Sequence, residues 1–291
     1  MSEQGEAFSS IDLVAQCLAD EVRSEAFDRA LQEVIKPGMR VLDVGAGSGL
    51  LGMLAARAGA SSVVSVELDP LVAEAARRNI ESNNLQGVVS VVGGDATNWA
   101  LPKNERPFDL VVMELLTTGM IDEAQVEASN NLHRQGLADH RTIFVPHRLD
   151  TYVGLGEMNF SICSFDMRMV RHLWEPFPHC RYFSDLTTRQ IMKSESFSGF
   201  IQPTVDEVIN LHIERAGKVN SVILTSETFL SPSVSVWDSL AMNAPVVVPI
   251  DPFKVKPGDL VRLRIRYTYG GGFGDLKIAV AAVQEGLQYA I

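Results

Sequence analysis

The sequence predicts an α/β domain, a parallel sheet covered by helices, followed by a β-rich domain arranged as an antiparallel meander or barrel. Three observations predict it. A short apolar run, Val41-Leu42-Asp43-Val44, ends at a glycine-rich turn, Gly45-Ala46-Gly47-Ser48-Gly49, and a helical stretch from Leu50 to Ala58 opens directly behind. From Met39 to about Val145, strand-like runs alternate with helical ones, Leu71 to Asn83 and Glu123 to Gln135 among them, as in a sheet buried on both faces. Beyond Pro146 the pattern changes to β-rich runs separated by Pro and Gly turns: Asp150–Gly154, Glu207–Ile213, Asn220–Leu224, Ala244–Val248 and Leu260–Thr268.

Taken in order, residues 11–35 read as one helix, with Leu13, Val14, Cys17, Leu18, Val22, Phe27, Leu31 and Val34 near helical spacing and Lys36-Pro37-Gly38 ending it. Strands are then expected at Val41 to Val44, at Ser62 to Val66 ending on Glu67, at Val88 to Val92 ending on Gly94-Asp95-Ala96, and at Phe108 to Met113 ending on Glu114. Residues 164–200 fit neither pattern; two helical fragments are expected there, around the aromatic, proline-rich stretch His172 to Pro178. Residues 253–259 are expected to turn between two late strands.

At 291 residues the chain suits two domains, and its 46% hydrophobic content suffices for real cores. No apolar run approaches the ~20 residues of a membrane span, and the acidic start, Met1 to Glu6, is unlike a signal peptide. Cys17, Cys163 and Cys180 are odd in number and form no C-x-x-C pair. A reducing, cytoplasmic setting without disulfide frame or metal site is expected. The net charge is −11, and no basic cluster offers a footprint for phosphates. Arg262, Arg264 and Arg266 alternate along one strand face and read as a solvated face. Neither nucleic acid nor membrane is an expected partner; an acidic protein suits a cationic or neutral substrate.

The glycine-rich turn carries the chemistry. Glycine is needed where the backbone turns tightly and a ligand approaches too closely for a Cβ. Dinucleotide folds space these residues as G-x-G-x-x-G, whereas here the third glycine, Gly49, comes one residue early. Asp43, just before the loop, would repel a pyrophosphate and suits a cofactor bearing an ammonium. A nicotinamide fold and a ligand-free turn are the alternatives. The run resembles motif I of the class I S-adenosylmethionine-dependent methyltransferases, which implies a Rossmann-like domain and that cofactor. The resemblance implies cofactor contacts from Asp43, Gly45, Ala46, Gly47, Gly49 and Leu50. Glu67, 22 residues after Gly45, would hold the ribose hydroxyls with Leu68 beside it, and Gly94, Asp95 and Ala96 would meet the adenine.

A methyltransferase core followed by a β-barrel resembles the protein arginine methyltransferase family. Leu18-Ala19-Asp20-Glu21-Val22-Arg23, with Phe27 beyond, is similar to that family's helix L-x-D-x-x-R-x-x-x-Y; the likeness implies that Arg23 binds the cofactor carboxylate. Glu114 and Glu123 stand nine residues apart, the spacing of the two glutamates that clamp a guanidinium in that family. Phe144 to Arg148 resembles the linker into the barrel, Ser235-Val236-Trp237 lies where the family carries Thr-His-Trp, and Lys254 to Gly258 matches the turn that follows. The likeness implies three segments: residues 1–38 closing over the cofactor, a cofactor domain over 39–147, and a barrel over 148–291 with a dimerisation arm near 164–200. It also implies a homodimer, with Trp174, Phe177, Tyr182 and Phe183 in the interface.

The departures fall at the acceptor side. Leu115-Leu116-Thr117-Thr118 replaces Trp-Met-Gly-Tyr, Val236 replaces the histidine, and only Phe8 represents the N-terminal tyrosines. Glu114 is expected to orient or deprotonate the acceptor with Glu123 in support, and Phe8, Leu115 and Trp237 to wall its pocket. The expected acceptor is a small N–H-bearing metabolite such as an indole, methylated at nitrogen or activated carbon. An arginine in a peptide or protein is the alternative, and cofactor binding without turnover the third.

Overall fold

The computed structural model describes residues 11–101, 106–174, 183–284 and 287–288. The chain opens with two helices, α1 (Ile11–Ala19) and α2 (Glu21–Val34), rather than the single helix expected. Asp20 breaks them: its backbone leaves the helical region (φ −85°, ψ 86°) and its carboxylate accepts from the Arg23 N–H as the N-cap of α2. Short polar side chains favour this position because they satisfy an orphan amide of the first turn.

The α/β layer follows as β1 (Arg40–Val44), α3 (Leu50–Arg57), β2 (Ser62–Glu67), α4 (Pro70–Ser82), β3 (Val89–Gly93), β4 (Leu110–Met113), α5 (Gln125–Arg134) and β5 (Ile143–Val145). The five strands are all parallel, in the order β3-β2-β1-β4-β5. The order reverses at β1, so a crevice forms beyond the carboxyl ends of β1 and β4, where open parallel sheets place ligands. Val41, Leu42, Val44 and all of β4 are buried, which explains why these strands read as unbroken apolar runs.

The remaining strands are β6 (Arg148–Met158), β7 (Ser161–Ile162), β8 (Phe165–Asp166), β9 (Arg171–His172), β10 (Phe183–Asp185), β11 (Gln190–Ser196), β12 (Thr204–His212), β13 (Gly217–Phe229), β14 (Ser235–Val236), β15 (Val246–Val255), β16 (Leu260–Thr268), β17 (Lys277–Gln284) and β18 (Leu287–Gln288). They build a seven-stranded and a four-stranded antiparallel sheet, the β-barrel domain, plus the small β7–β8 hairpin. Along β16, Val261, Leu263, Ile265 and Tyr267 point inward while Arg262, Arg264 and Arg266 face solvent, the alternation a half-buried strand requires. Asp206 holds Arg264 through two hydrogen bonds and Arg266 at 3.4 Å, so the arginine stripe is a paired surface.

The helical fragments expected within 164–200 are absent among the described residues, which form β8, β9, β10 and β11 instead. Pairing across the barrel decides this: β11 lies antiparallel on β6, and β9 on β15 through Val246 and His172. These are contacts between segments far apart in sequence, invisible to local periodicity.

The N-terminal helices dock on the barrel through Asp20, which is 2% exposed. Its Oδ2 accepts from Ser239 Oγ at 2.6 Å and from the Ala241 N–H at 2.7 Å. Glu33 repeats the device, accepting from Ser231 Oγ and Ser233 Oγ. Asp20→Ala removes the α2 cap and strands two donors, so urea denaturation should register a loss of about 2–3 kcal/mol. An unchanged midpoint and slope would contradict the docking role.

Candidate active site

The carboxyl ends of β1 to β4 open into a cavity of about 1130 Å³, larger than the ~300–1,000 Å³ of most small-molecule sites. Its floor is the glycine-rich loop. Gly45, Gly47 and Gly49 hold φ of 74°, 53° and 83°, values that side-chain-bearing residues rarely adopt. A Cβ on Gly45 would also sit 2.6 Å from Leu115 Cδ2. The Gly45 and Ala46 N–H groups bond the Val66 carbonyl, both at 3.0 Å, tying the loop to β2. Glu67, at the end of β2, accepts from the Gly47 N–H at 2.8 Å and from the Asp69 N–H at 3.0 Å. Its carboxylate is thereby fixed at the cavity wall beside Leu50 and Leu68. Gly94, Asp95 and Ala96 form the next part of the wall, with Trp99 packed over Gly94. The Asp95 carboxylate is oriented by Thr97 and Asn98.

Glu114 follows β4, at the centre of the cavity. Its carboxylate accepts from Arg23 Nε at 3.1 Å and from a terminal Arg23 nitrogen, with both side chains under 10% exposed. Arg23 also reaches the Cys17 carbonyl at 3.4 Å and lies over the Phe27 ring. Burial raises the Glu114 carboxyl above its ordinary range, against the pull of Arg23. Glu123 lies just ahead of α5, and burial together with the Glu114 and Asp122 charges pushes its carboxyl well up. Two carboxylates this close cannot both ionise freely. Arg23 hydrogen-bonds Glu114 and opposes the rise there, whereas Glu123 has no hydrogen-bonded cation among the described residues.

The barrel braces the loop that carries both glutamates. Tyr267 donates to the Gly119 carbonyl at 2.9 Å, the Gly119 N–H donates to Ser226 Oγ at 3.0 Å, and Thr118 Oγ1 donates to the Ala244 carbonyl at 2.7 Å. From the sheet side, buried Gln125 accepts from the Leu115 N–H and donates to the Met113 carbonyl.

Three expectations change. Asp43 does not line the cavity: it is wholly buried beneath α3, where a Cβ on Gly52 would lie 2.9 Å from its Oδ2 and Ser65 Oγ donates to that oxygen at 2.9 Å. Trp237 also lies outside the lining; it is 46% exposed and packs at a tilt against Tyr152, 5.0 Å between ring centres. Trp174, expected in a subunit interface, lines the cavity with His172. Leu115 lines it as expected, and Phe8 lies outside the described residues. Sequence reasoning missed Asp122 and Glu127, which flank Glu123 in the chain, His172, which pairing of β9 on β15 brings in, and the roof of Leu13, Val14, Cys17 and Leu18 from α1. Burial pushes the Cys17 thiol up to about 12, so it is a neutral lining group.

Seven carboxylates line the cavity (Glu67, Asp69, Asp95, Glu114, Asp122, Glu123 and Glu127) against one guanidinium, Arg23, among the described residues. That balance rejects a pyrophosphate and fits a cofactor carrying a sulfonium and an ammonium, with Arg23 suited to its single carboxylate. The family model for ribosomal protein L11 methyltransferase (PrmA) matches residues 28–140. The chain is an S-adenosylmethionine-dependent methyltransferase. The methyltransferase is 26% identical over 266 residues to an uncharacterised protein of Methanocaldococcus jannaschii, covering 90% of this chain and 93% of that one. It is 41% identical over 107 residues to the arginine N(omega)-methyltransferase of Streptomyces achromogenes subsp. streptozoticus, covering 36% and 30%. With the ribosomal protein L11 methyltransferase of Bacillus cytotoxicus it shares 46% over 88 residues, covering 30% and 27%. The chain thus spans under a third of these two curated methyltransferases. The fold extends further. The Trypanosoma brucei PRMT1 enzyme–prozyme complex with AdoHcy superposes at TM-score 0.78 with 18% identity, covering 98% of both chains. Arabidopsis thaliana protein arginine methyltransferase 10 superposes at 0.77 with 15% identity, covering 99% and 98%.

Burial lifts the Asp43 carboxyl to about 7. The folded protein therefore holds this proton at pH values where the unfolded chain, near 3.9, has released it, and stability contributed here falls as pH rises through that window. Asp43→Asn keeps an acceptor for Ser65 and cannot ionise. In denaturation between about pH 4 and pH 7 the variant should gain stability relative to wild type as pH rises. Parallel pH profiles would contradict this.

Proposed function

We propose that this protein transfers a methyl group from S-adenosylmethionine to a nitrogen of a small planar cation, a guanidinium foremost. One observation carries the reading: Glu123 and Asp122 stand beside Glu114 with no cation among the described residues to neutralise them beyond Arg23, which Glu114 already holds. A half-buried carboxyl whose ionisation is opposed by burial and by like charges is a place for a cation, which favours the charged form on binding. A guanidinium is planar, cationic and able to bond two carboxylates at once. The name of the Streptomyces relative, an arginine N(omega)-methyltransferase, agrees.

S-adenosylmethionine supplies a methyl group activated on a sulfonium. The chain's residues bind, align and manage the proton. In this reading Glu67 holds the ribose hydroxyls, Gly94-Asp95-Ala96 border the adenine, and Arg23 turns part of its guanidinium to the cofactor carboxylate. The α1 roof of the segment preceding residue 39 covers the site and excludes water. Glu114 orients the acceptor nitrogen and accepts its proton, and Glu123 fixes the rest of the group. A neutral N–H heterocycle such as an indole is the second reading, favoured by Leu115 and Leu116 in the wall. Free Cys17 and Cys163 suit a reducing, cytoplasmic setting, and no described helix is long and apolar enough to cross a membrane.

Transfer from labelled cofactor should favour arginine and other guanidino compounds over indoles. Glu114→Gln should cut turnover about tenfold or more, and Glu123→Gln should mainly raise the acceptor KM. Methylation of indoles alone would decide for the second reading, and of Arg/Gly-rich peptide alone for a protein substrate.

We further propose a homodimer, on different residues from those expected. Ile162, Phe165, Met167 and Met169, at and just beyond the β7–β8 hairpin, are 53%, 70%, 45% and 64% exposed. Such clustered apolar exposure marks an interaction surface. Phe183 packs instead against Met158 and Phe160 inside the barrel, and Phe177 and Tyr182 lie outside the described residues. Wild type should sediment as a dimer and Phe165→Glu as a folded monomer; a wild-type monomer at micromolar concentration would contradict the assignment.

A further inference from the structure

His172 and Trp174 have no assigned role, yet both line the cavity. The His172 ring lies tilted against Trp174, with centroids 5.1 Å apart, and meets the edge of Phe273 at 5.3 Å. The backbone beneath them is pinned, His172 pairing with Val246 and the Leu173 N–H donating to the Pro245 carbonyl at 2.8 Å. Phe273 belongs to the turn between β16 and β17, and that turn grips the glutamate loop. The Gly270 N–H donates to the Met120 carbonyl at 3.0 Å and the Gly272 N–H to the Ile121 carbonyl at 2.8 Å. One rigid unit thus places an aromatic wall beside Asp122 and Glu123.

His172 Nε2 is buried and has no hydrogen-bond partner among the described residues. A buried polar nitrogen left unpaired is costly, and this one belongs to a side chain lining the cavity. Burial lowers the His172 pKa, so the ring is neutral and adds no positive charge to the wall. Carboxylates on one side with an indole and a neutral imidazole on the other make a cage for a cation, because the π face of tryptophan attracts positive charge.

We propose that Trp174 and His172 form the acceptor-selecting subsite: Trp174 stacks on the planar cationic group and His172 Nε2 bonds the acceptor. The proposal rests on the cationic-acceptor reading above. The stack rewards charge and planarity together, so it discriminates a guanidinium from a neutral ureido group of the same shape, which the carboxylates alone would hold through its N–H groups.

Calorimetry with the protein loaded with S-adenosylhomocysteine, titrated with arginine and with citrulline as its neutral isostere, tests this without turnover. Wild type should bind arginine at least about tenfold more tightly than citrulline. Trp174→Ala should weaken arginine about fivefold or more, Trp174→Phe should recover most of the loss, and His172→Leu should weaken arginine too. S-adenosylhomocysteine affinity should hold in every variant. Arginine affinity unchanged in Trp174→Ala, or lost only together with S-adenosylhomocysteine affinity, would overturn the subsite and leave the carboxylate reading standing. Wild-type protein that binds S-adenosylhomocysteine but not arginine would overturn both.

Discussion

The buried ion pair between Arg23 and Glu114 is the interaction on which the site depends. It joins the second helix to the end of β4, two elements 91 residues apart in sequence. Neither charge could stay buried alone, since an unpaired buried charge costs about 3–5 kcal/mol. Arg23 therefore favours the charged form of Glu114. Burial, and then the Glu114 and Asp122 charges, oppose ionisation of Glu123.

Holding two glutamates together against their repulsion requires a stiff support, and the barrel supplies it. Tyr267, Ser226 and the Ala244 carbonyl fix the loop from one side, and Gln125 from the other. The same barrel reaches the roof through the bonds of Ser239 and Ala241 to Asp20. A change deep in the barrel would thus be felt at both carboxylates and at the N-terminal helices, although no described barrel strand belongs to the parallel sheet.

The cofactor half was legible because its signals are local. A glycine-rich turn between strand and helix, with acids at successive strand ends, is written in consecutive residues, and Gly45, Glu67 and Gly94 fell where the spacing placed them. The setting of Asp43 is one that a linear pattern cannot show: the pleat turns its side chain under α3, toward Ser65 and Gly52. The acceptor half was much less legible. Antiparallel pairing of β9 on β15 brings His172 and Trp174 into the same cavity as Asp122, and Trp237, just beyond β14, lies outside it despite its neighbours in sequence. The helices expected near residues 164–200 failed similarly, since strand pairing with β6 and β15 overrode local periodicity.

The most direct test of this account is a crystal structure of the protein with S-adenosylhomocysteine and arginine. The account predicts the ribose on Glu67 and the guanidinium between Glu114 and Glu123. Arginine bound elsewhere, with Glu123 still unpaired and the cofactor in place, would contradict it.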